Sequence, residues 1–378
     1  MTALLFSIFS VLYALLILVF YREWRQIDPP NSKQTKGQVK VTVLIPVRNE
    51  EDGIIQLLED INKQEYPENL LEVIVIDDHS TDATKQIILE ASVQFSYDLQ
   101  LIDLAVTDDY MGSHKKSAIT QAMKLASGEL VISTDGDCRF GVKWISTFVT
   151  LYLEKEAQFI SGPVTFHHEK SLFEKLQTLE FASLIGVGAA SMKIGKPNMC
   201  NGANLAFKKS AFKEVNGYEG IDHVHSGDDE FLMHKIHKKY PKSVFFLKDN
   251  GAMAHTHAKP TLTSLIHQRK RWAGKWKYYK NLNIKLLAIF IFLYNFLFFA
   301  AFFSIFFGNY SLKIFVLQLL IKFLADFIFM KSIMTFLKKP FNTIHFLIIE
   351  LFYPFYAVFF GIVSNFGKYE WKGRRLKR

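Results

Sequence analysis

Two carboxylates separated by one glycine, Asp135-Gly136-Asp137, close the short apolar run Leu130-Val131-Ile132-Ser133-Thr134. In an extended segment residues two apart face the same way. Both carboxylates can therefore meet one hard cation, and Gly136 admits a ligand close to the backbone. Mg2+ or Mn2+ held by one or two carboxylates completes its shell with water and phosphate oxygens. The pair is thus a candidate metal and diphosphate site, with a polar turn after a strand as the plainer alternative.

Further clusters carry groups suited to the same chemistry. Asp77-Asp78 can accept hydrogen bonds from a nucleobase N–H or ribose hydroxyls, or can form an Asx turn with a helix cap at Ser80, Thr81 or Asp82. Lys115 and Lys116 precede a helix, and one of them, taken as Lys116, could meet a phosphate; a solvated pair is the alternative. Cys200-Asn201-Gly202-Ala203-Asn204 is a small polar turn that could present Asn201, Gly202 and Asn204 to a ligand. Ser226-Gly227-Asp228-Asp229-Glu230 opens a helix with acids that suit its dipole, and one of them could be a general base. Gln268-Arg269-Lys270-Arg271-Trp272 offers a guanidinium fork for phosphate and a flat indole for a sugar or base, or an interfacial basic helix. Lys322 and Asp326 lie four apart within an apolar run and read as an intrahelical pair, with contact to a lipid headgroup as the alternative.

These groups need strands and helices to position them. Val41–Val47, Leu71–Ile76 and a weaker segment near Leu99–Leu104 read as strands like the one ending at Asp135. Helices are expected from Asn49 to about Lys63, after Asp82, and over Ser117–Ala126, with a polar loop around Met111–Lys116. Strands alternating with helices predict an α/β domain with a mostly parallel, doubly wound sheet, which binds ligands at the carboxyl ends of its strands.

The chain has 378 residues, of which 49% are hydrophobic, and its 36 Phe gather toward the C-terminal part. Residues 1–21 suit a membrane anchor and lack the basic start and cleavage site of a signal peptide. Residues 22–38 read as a linker with Tyr21, Arg22, Trp24 and Arg25 at the membrane surface. Residues 39–280 are the soluble domain, 281–367 membrane-spanning or re-entrant helices, and 368–378 a basic tail. Positive charge beside these runs places the domain in the cytoplasm. Much of the basic excess behind the net charge of +9 sits there too, which argues for membrane contact and against nucleic acid. Three full C-terminal spans would put the tail outside; Glu350 and Pro354 suggest instead that 344–364 is re-entrant. Cys138 and Cys200 form neither a disulfide framework nor a metal pair by spacing.

Taken in order, Pro46-Val47-Arg48-Asn49-Glu50-Glu51, the D-D-x-S-x-D at 77–82, the D-x-D at 135–137, the acids at 226–230 and the Q-x-x-R-W at 268–272 resemble the membrane-bound family-2 glycosyltransferases. The resemblance implies a GT-A fold and inverting transfer from a nucleotide-sugar donor, expected to be a UDP-sugar. Pro46, Arg48, Glu50, Asp77, Asp78, Lys116, Asp135, Gln268, Arg271 and Trp272 would bind donor, and Asp135 and Asp137 the metal, Mg2+ or Mn2+. Asn201, Gly202, Asn204 and Trp272 would face the acceptor. The base would be Asp228, with Asp229 as the alternative, because Gly227 stands where the family often has an acid. A single displacement is implied, with the metal and Arg271 balancing charge on the departing diphosphate. The expected acceptor is a lipid or glycolipid in a bacterial inner membrane. A processive polysaccharide synthase is the alternative, and a non-catalytic membrane scaffold the second.

Overall fold

The computed structural model describes residues 2–31, 38–106 and 113–376. Residues 32–37 of the expected linker and the first part of the loop around Met111 lie outside them. Helix α1 (Thr2–Arg25) precedes a domain that begins β1 (Val41–Val47), α2 (Ile54–Asn62), β2 (Leu71–Asp77), α3 (Thr84–Ala91), β3 (Asp98–Asp103), α4 (His114–Leu125) and β4 (Leu130–Ser133). It continues with β5 (Arg139–Phe140), α5 (Trp144–Lys155), β6 (Phe159–Ser161), β7 (Val164–Phe166), α6 (Leu172–Lys193), β8 (Leu205–Lys208) and α7 (Lys209–Glu214). Then come α8 (Asp228–Lys239), β9 (Val244–Phe246), β10 (Ala254–Thr256) and α9 (Leu262–Ala273). Helices α10 (Leu282–Phe306), α11 (Leu312–Phe336) and α12 (Thr343–Val363) follow, then a hairpin of β11 (Tyr369–Trp371) and β12 (Arg374–Leu376).

The main sheet runs β3-β2-β1-β4-β8-β6-β9. Its β1, β2, β3 and β4 are parallel, as the alternation predicts, and β8 enters antiparallel between β4 and β6. The continuous apolar runs of β1, β2 and β4 are explained by burial on both faces. A smaller sheet, β5-β10-β7, stands beside the end of β4.

Three sequence expectations shift, and the first is that α4 starts at His114 rather than Ser117, which puts Lys115 and Lys116 inside the helix. The helix after β1 starts at Ile54 rather than Asn49. Asn49 adopts φ 51°, and the amides of Asn49, Glu50 and Glu51 donate to Ser80, Thr84 and Asp82 side chains at 3.0, 2.8 and 3.3 Å. Those side chains outcompete a first helical turn and tie together the loops after β1 and β2. Residues from Lys368 on do not form a loose tail: through Leu376 they fold as the hairpin.

Helices α1, α10 and α12 are long and apolar enough to cross a membrane. Helix α11 is as long as α10 but carries Lys322 and Asp326. The pair at 2.8 Å is not isolated, because Lys322 Nζ also meets Glu350 of α12 and Tyr13 of α1 donates to Asp326 at 3.0 Å. Charge buried among apolar helices persists when it is paired and hydrogen-bonded.

The domain is joined to these helices along a close seam. A methyl group at Gly186 of α6 would lie 2.1 Å from Ile333 Cδ1 and 3.0 Å from Phe329 of α11, so glycine lets the helices touch. Trp24 Nε1 donates to Ser332 at 3.1 Å, Lys248 donates to the Trp24 carbonyl at 2.6 Å, and Lys339 pairs with Glu169 at 2.9 Å.

Candidate active site

A cavity of about 470 Å3 opens at the carboxyl ends of β1 and β4. Asp135 and Asp137 stand on its wall, as the strand-end reading predicts. Asp135 accepts from Lys115 at 2.7 Å, and Lys115 reaches Asp228 at 3.3 Å. One lysine thus joins the carboxylate pair to the acids of α8. Burial works against the Lys115 charge, but Asp135 and Asp228 hold its pKa above the usual lysine value. Asp137 takes only long hydrogen bonds among the described residues, from Thr256 at 3.3 Å and from the Cys138 thiol at 3.9 Å.

No cluster of three metal-ligating side chains occurs among the described residues. Two carboxylates one residue apart fit a hard cation that takes its remaining ligands from water and a diphosphate.

The acids of α8 have distinct surroundings. Gly227 has φ 76°, and a side chain there would meet Phe231 at 2.7 Å. A side chain at this position would be strained and would have to displace the Phe231 ring, which accounts for glycine there. Lys275 pairs with Glu230 at 2.9 Å, and Tyr279 also binds Glu230. Burial, opposed by Lys275 and reinforced by Asp228, pushes Asp229 up to about 6. Gly202 faces all of this: a methyl there would lie 3.2 Å from Lys115 Nζ and 3.5 Å from a carboxylate oxygen of both Asp228 and Asp229.

Pro46, Arg48, Glu50, Asp78, Asn201, Gly202, Gln268, Arg271 and Trp272 line the cavity. Three expected site residues do not. Asp77 Oδ1 accepts from the Ser80 amide at 3.1 Å and from its hydroxyl, which is the Asx-turn alternative. Lys116 points away and donates to the carbonyls of Ile221, Val224 and Ser226 at 2.7, 2.7 and 3.2 Å. It thereby fixes the loop that delivers Asp228 and Asp229, while its neighbour Lys115 reaches the cavity. Burial pushes Lys116 down to about 8. Asn204 is fully buried, accepting from Trp144 at 2.9 Å and donating to Pro163 and Ala252 carbonyls at 2.7 and 2.8 Å. It braces strands instead of facing an acceptor.

Helix α9, capped by Thr261 and Ser264, presents Gln268, Arg271 and Trp272. Between them Arg269 turns inward to Glu180 of α6, donates to Tyr356 of α12 at 2.7 Å and to Gln268 at 2.6 Å, and lies 4.3 Å from the Trp272 ring. Tyr356 donates to Glu180 at 3.0 Å. Beyond this clamp the cavity wall becomes apolar, with Phe181, Leu184 and Ile185 of α6 and Tyr353 and Phe360 of α12.

At the opposite end the β11–β12 hairpin covers Asp78 and Glu50. Arg374 donates to Asp78 at 2.6 and 3.1 Å, Lys372 pairs with Glu50, and Arg48 donates to the Lys372 carbonyl at 3.2 Å. Burial alone would raise Asp78, but hydrogen bonds from His114, Arg374 and His79 hold it well below the ordinary range. In the sequence Lys115 stands only as the unchosen neighbour of Lys116, and Lys372 and Arg374 only as part of the basic tail. The basic Trp371-Lys372-Gly373-Arg374 run was their only local signal for the hairpin pair.

Comparison with known proteins agrees with this geometry. The model of glycosyl transferase family 2 matches residues 42–215, and that of glycosyl transferase family group 2 matches residues 130–361. The chain is 28% identical over 246 residues to poly-β-1,6-N-acetyl-D-glucosamine synthase of Staphylococcus epidermidis, covering 62% of this chain and 53% of that one. It thus spans about half the length of that relative. The probable glycosyltransferase YdaM of Bacillus subtilis is 26% identical over 365 residues, covering 89% of this chain and 84% of its own. A mannosyltransferase of Pyrobaculum calidifontis, solved with GDP-Man and Mn2+, shares the fold at TM-score 0.59 with 18% identity, over 96% of this chain and 97% of that one. The fold is a GT-A-like α/β domain with apolar helices on both sides of it in sequence, and the chain belongs to glycosyltransferase family 2.

Proposed function

We propose that this protein moves a sugar, with inversion, from a nucleotide-sugar donor to a hydroxyl of a membrane-associated acceptor. One observation carries the reading: a single cavity joins the strand-end carboxylates and the acids of α8 to the apolar faces of α6 and α12. Asp78, Arg48 and Glu50 border the nucleoside end, and Asp135, Asp137 and Arg271 the diphosphate. Asp135 and Asp137 would hold Mg2+ or Mn2+, which when bound supplies positive charge against the diphosphate; the Pyrobaculum calidifontis neighbour was solved with Mn2+.

Asp229 is the general base in this reading. Its pKa of about 6 suits proton uptake near neutrality, whereas Asp228 is paired with Lys115. Asp229 takes the proton of the acceptor hydroxyl as its oxygen bonds to the anomeric carbon. The bond from that carbon to the diphosphate oxygen breaks in the same step, and Arg271 faces the negative charge that develops there. One displacement inverts the centre. Phe181 and Trp272 border the passage toward the membrane, where a lipid-linked acceptor fits.

The helix contacts support a re-entrant α12 in a membrane protein whose domain faces the cytoplasm. Helix α12 packs near its start against Phe341 and Phe327, reaches Phe299 and Phe302 at its middle beside Pro354, and is followed by Asn365, which accepts from Trp276 at 3.0 Å. Both ends then lie on the domain side, with α10 and α11 crossing, and the hairpin and the positive charge stay inside.

The test is turnover of UDP- and GDP-sugars by the full chain in detergent with Mg2+ or Mn2+, beside Asp137→Ala and Asp229→Asn. Metal-dependent turnover of one donor, lost at least about a hundredfold in both variants, is expected. Neither turnover nor metal-dependent nucleotide binding would favour the scaffold. Kinship to a polymer synthase makes product length the second readout: one added sugar supports single transfer, and long chains a processive synthase.

A further inference from the structure

Most cations on the cavity wall are engaged by the protein itself. Arg48 is held by the carbonyls of Asp78 and His79, Lys115 by Asp135 and Asp228, Arg269 by Glu180, Lys275 by Glu230 and Lys372 by Glu50. Among the described residues, two lysine or arginine side chains on this wall make neither a hydrogen bond nor an ion pair. One is Arg271, which rests 5.9 Å from the centre of the Trp371 ring and faces the diphosphate in the reading above. The other is Lys259, in the segment between β10 and α9.

The backbone of Lys259 is fixed from two sides. Gln177 of α6, itself buried, accepts from the Lys259 amide at 3.0 Å and donates to its carbonyl at 2.9 Å. Pro260 follows and narrows the conformations open to the residue before it. One side-chain amide thus satisfies both backbone groups, and the ammonium is left to the cavity. Burial draws the Lys259 pKa below the usual lysine value; Asp137 opposes this, and Arg271 and Lys372 add to it. A half-buried ammonium beside other cations, with no anion of its own in contact, carries a cost that an arriving anion relieves. The charges that act on it most, Asp137 and Arg271, are those that border the diphosphate in the donor-site reading.

We propose that Lys259 is a second ligand for the diphosphate of the donor, beside Arg271. The proposal rests on the donor-site reading above. Lys259 lies outside the Q-x-x-R-W run and outside the carboxylate pair, and is held in place before any ligand arrives, so little backbone freedom is lost on binding. Negative charge grows on the diphosphate as it departs, and two wall cations then face it where Arg271 alone would.

Equilibrium binding to the full chain in detergent tests it, with UDP and GDP, each with Mn2+, as probes. Lys259→Met should bind the nucleotide that the wild type takes about tenfold more weakly, and Lys259→Arg, which keeps the charge, should stay within about threefold of the wild type. Lys259→Met loses no ion pair, so its thermal unfolding should match the wild type. Weaker binding together with earlier unfolding makes Lys259 structural and overturns the proposal, as does an equal loss in Lys259→Arg. Wild-type protein that binds neither nucleotide defeats the donor-site reading itself. Wild-type binding that Lys259→Met leaves unchanged defeats only the role of Lys259, and a loss of transfer alongside that unchanged binding assigns it to the acceptor instead.

Discussion

Two lysines in this protein have nearly the same company and different duties. Lys115 lies between Asp135 and Asp228, and Lys322 between Asp326 and Glu350. Each bridges carboxylates from separate elements. The difference is access. The Lys322 side chain is 1% exposed and its partners 8% and 10%, whereas Asp135 is 42% exposed to the cavity. The sealed trio ties α11 to α12 and, through Tyr13, to α1. The open trio sets the spacing between the carboxylate pair after β4 and the acids of α8, and it faces the cavity. Similar ion-pair chemistry thus serves assembly where nothing can enter and binding where something can.

The largest expected effect sharpens that contrast. Lys322→Met leaves two buried carboxylates without their cation and should cost about 3–5 kcal/mol of stability, read as thermal unfolding in detergent. Lys115→Met should cost less, about 1–3 kcal/mol, because Asp135 keeps contact with solvent while Asp228 is 13% exposed, yet lower transfer by about tenfold or more through lost charge balance. The reverse pattern would break the comparison.

Next comes pH. Asp229 has its pKa raised to about 6, so in its proposed role as base it would be protonated and idle below that value and competent above it. Transfer should therefore rise with pH through about 6 and then level. Asp228 is among the groups that raise Asp229, so in Asp228→Asn the rise should move to lower pH. A profile that stays put in this variant would take the base role away from Asp229. The smallest effect is at the clamp. Tyr356→Phe removes one hydroxyl shared by Arg269 and Glu180 and should cost about 1 kcal/mol, seen as a few-fold weaker acceptor KM with donor hydrolysis unchanged.

Much of the site could be read before the fold was known, because strand ends in an alternating chain collect at one sheet edge. Asp78, Asp135 and Asp137 needed no more than that. Helical register was harder: Lys115 and Lys116 are neighbours, and only the rotation of α4 sends one to the cavity and the other to the carbonyls at 221–226. Asn204 shows the same limit, since a polar turn looks alike whether its amide meets solvent or braces buried carbonyls. Asp77 looked like a ligand because its Asx turn and a binding role ask for the same residue. The hairpin was least legible. A basic stretch after an apolar helix suits a membrane surface, and nothing local indicates that Arg374 finds Asp78, 296 positions earlier.

The close approach of Gly186 to Ile333 leaves no room for a side chain between α6 and α11 at this point of the seam. On the proposed reading, in which Asp229 is the base and the apolar helices lie in a bilayer, the protein then acts as a ruler and acceptors would be sorted by reach: a hydroxyl set one sugar too far out, or too near the headgroup, would miss the base whatever its chemistry. A series of acceptors differing only in spacer length would show a sharp optimum, and a bulkier residue at 186 would blur it by loosening the seam.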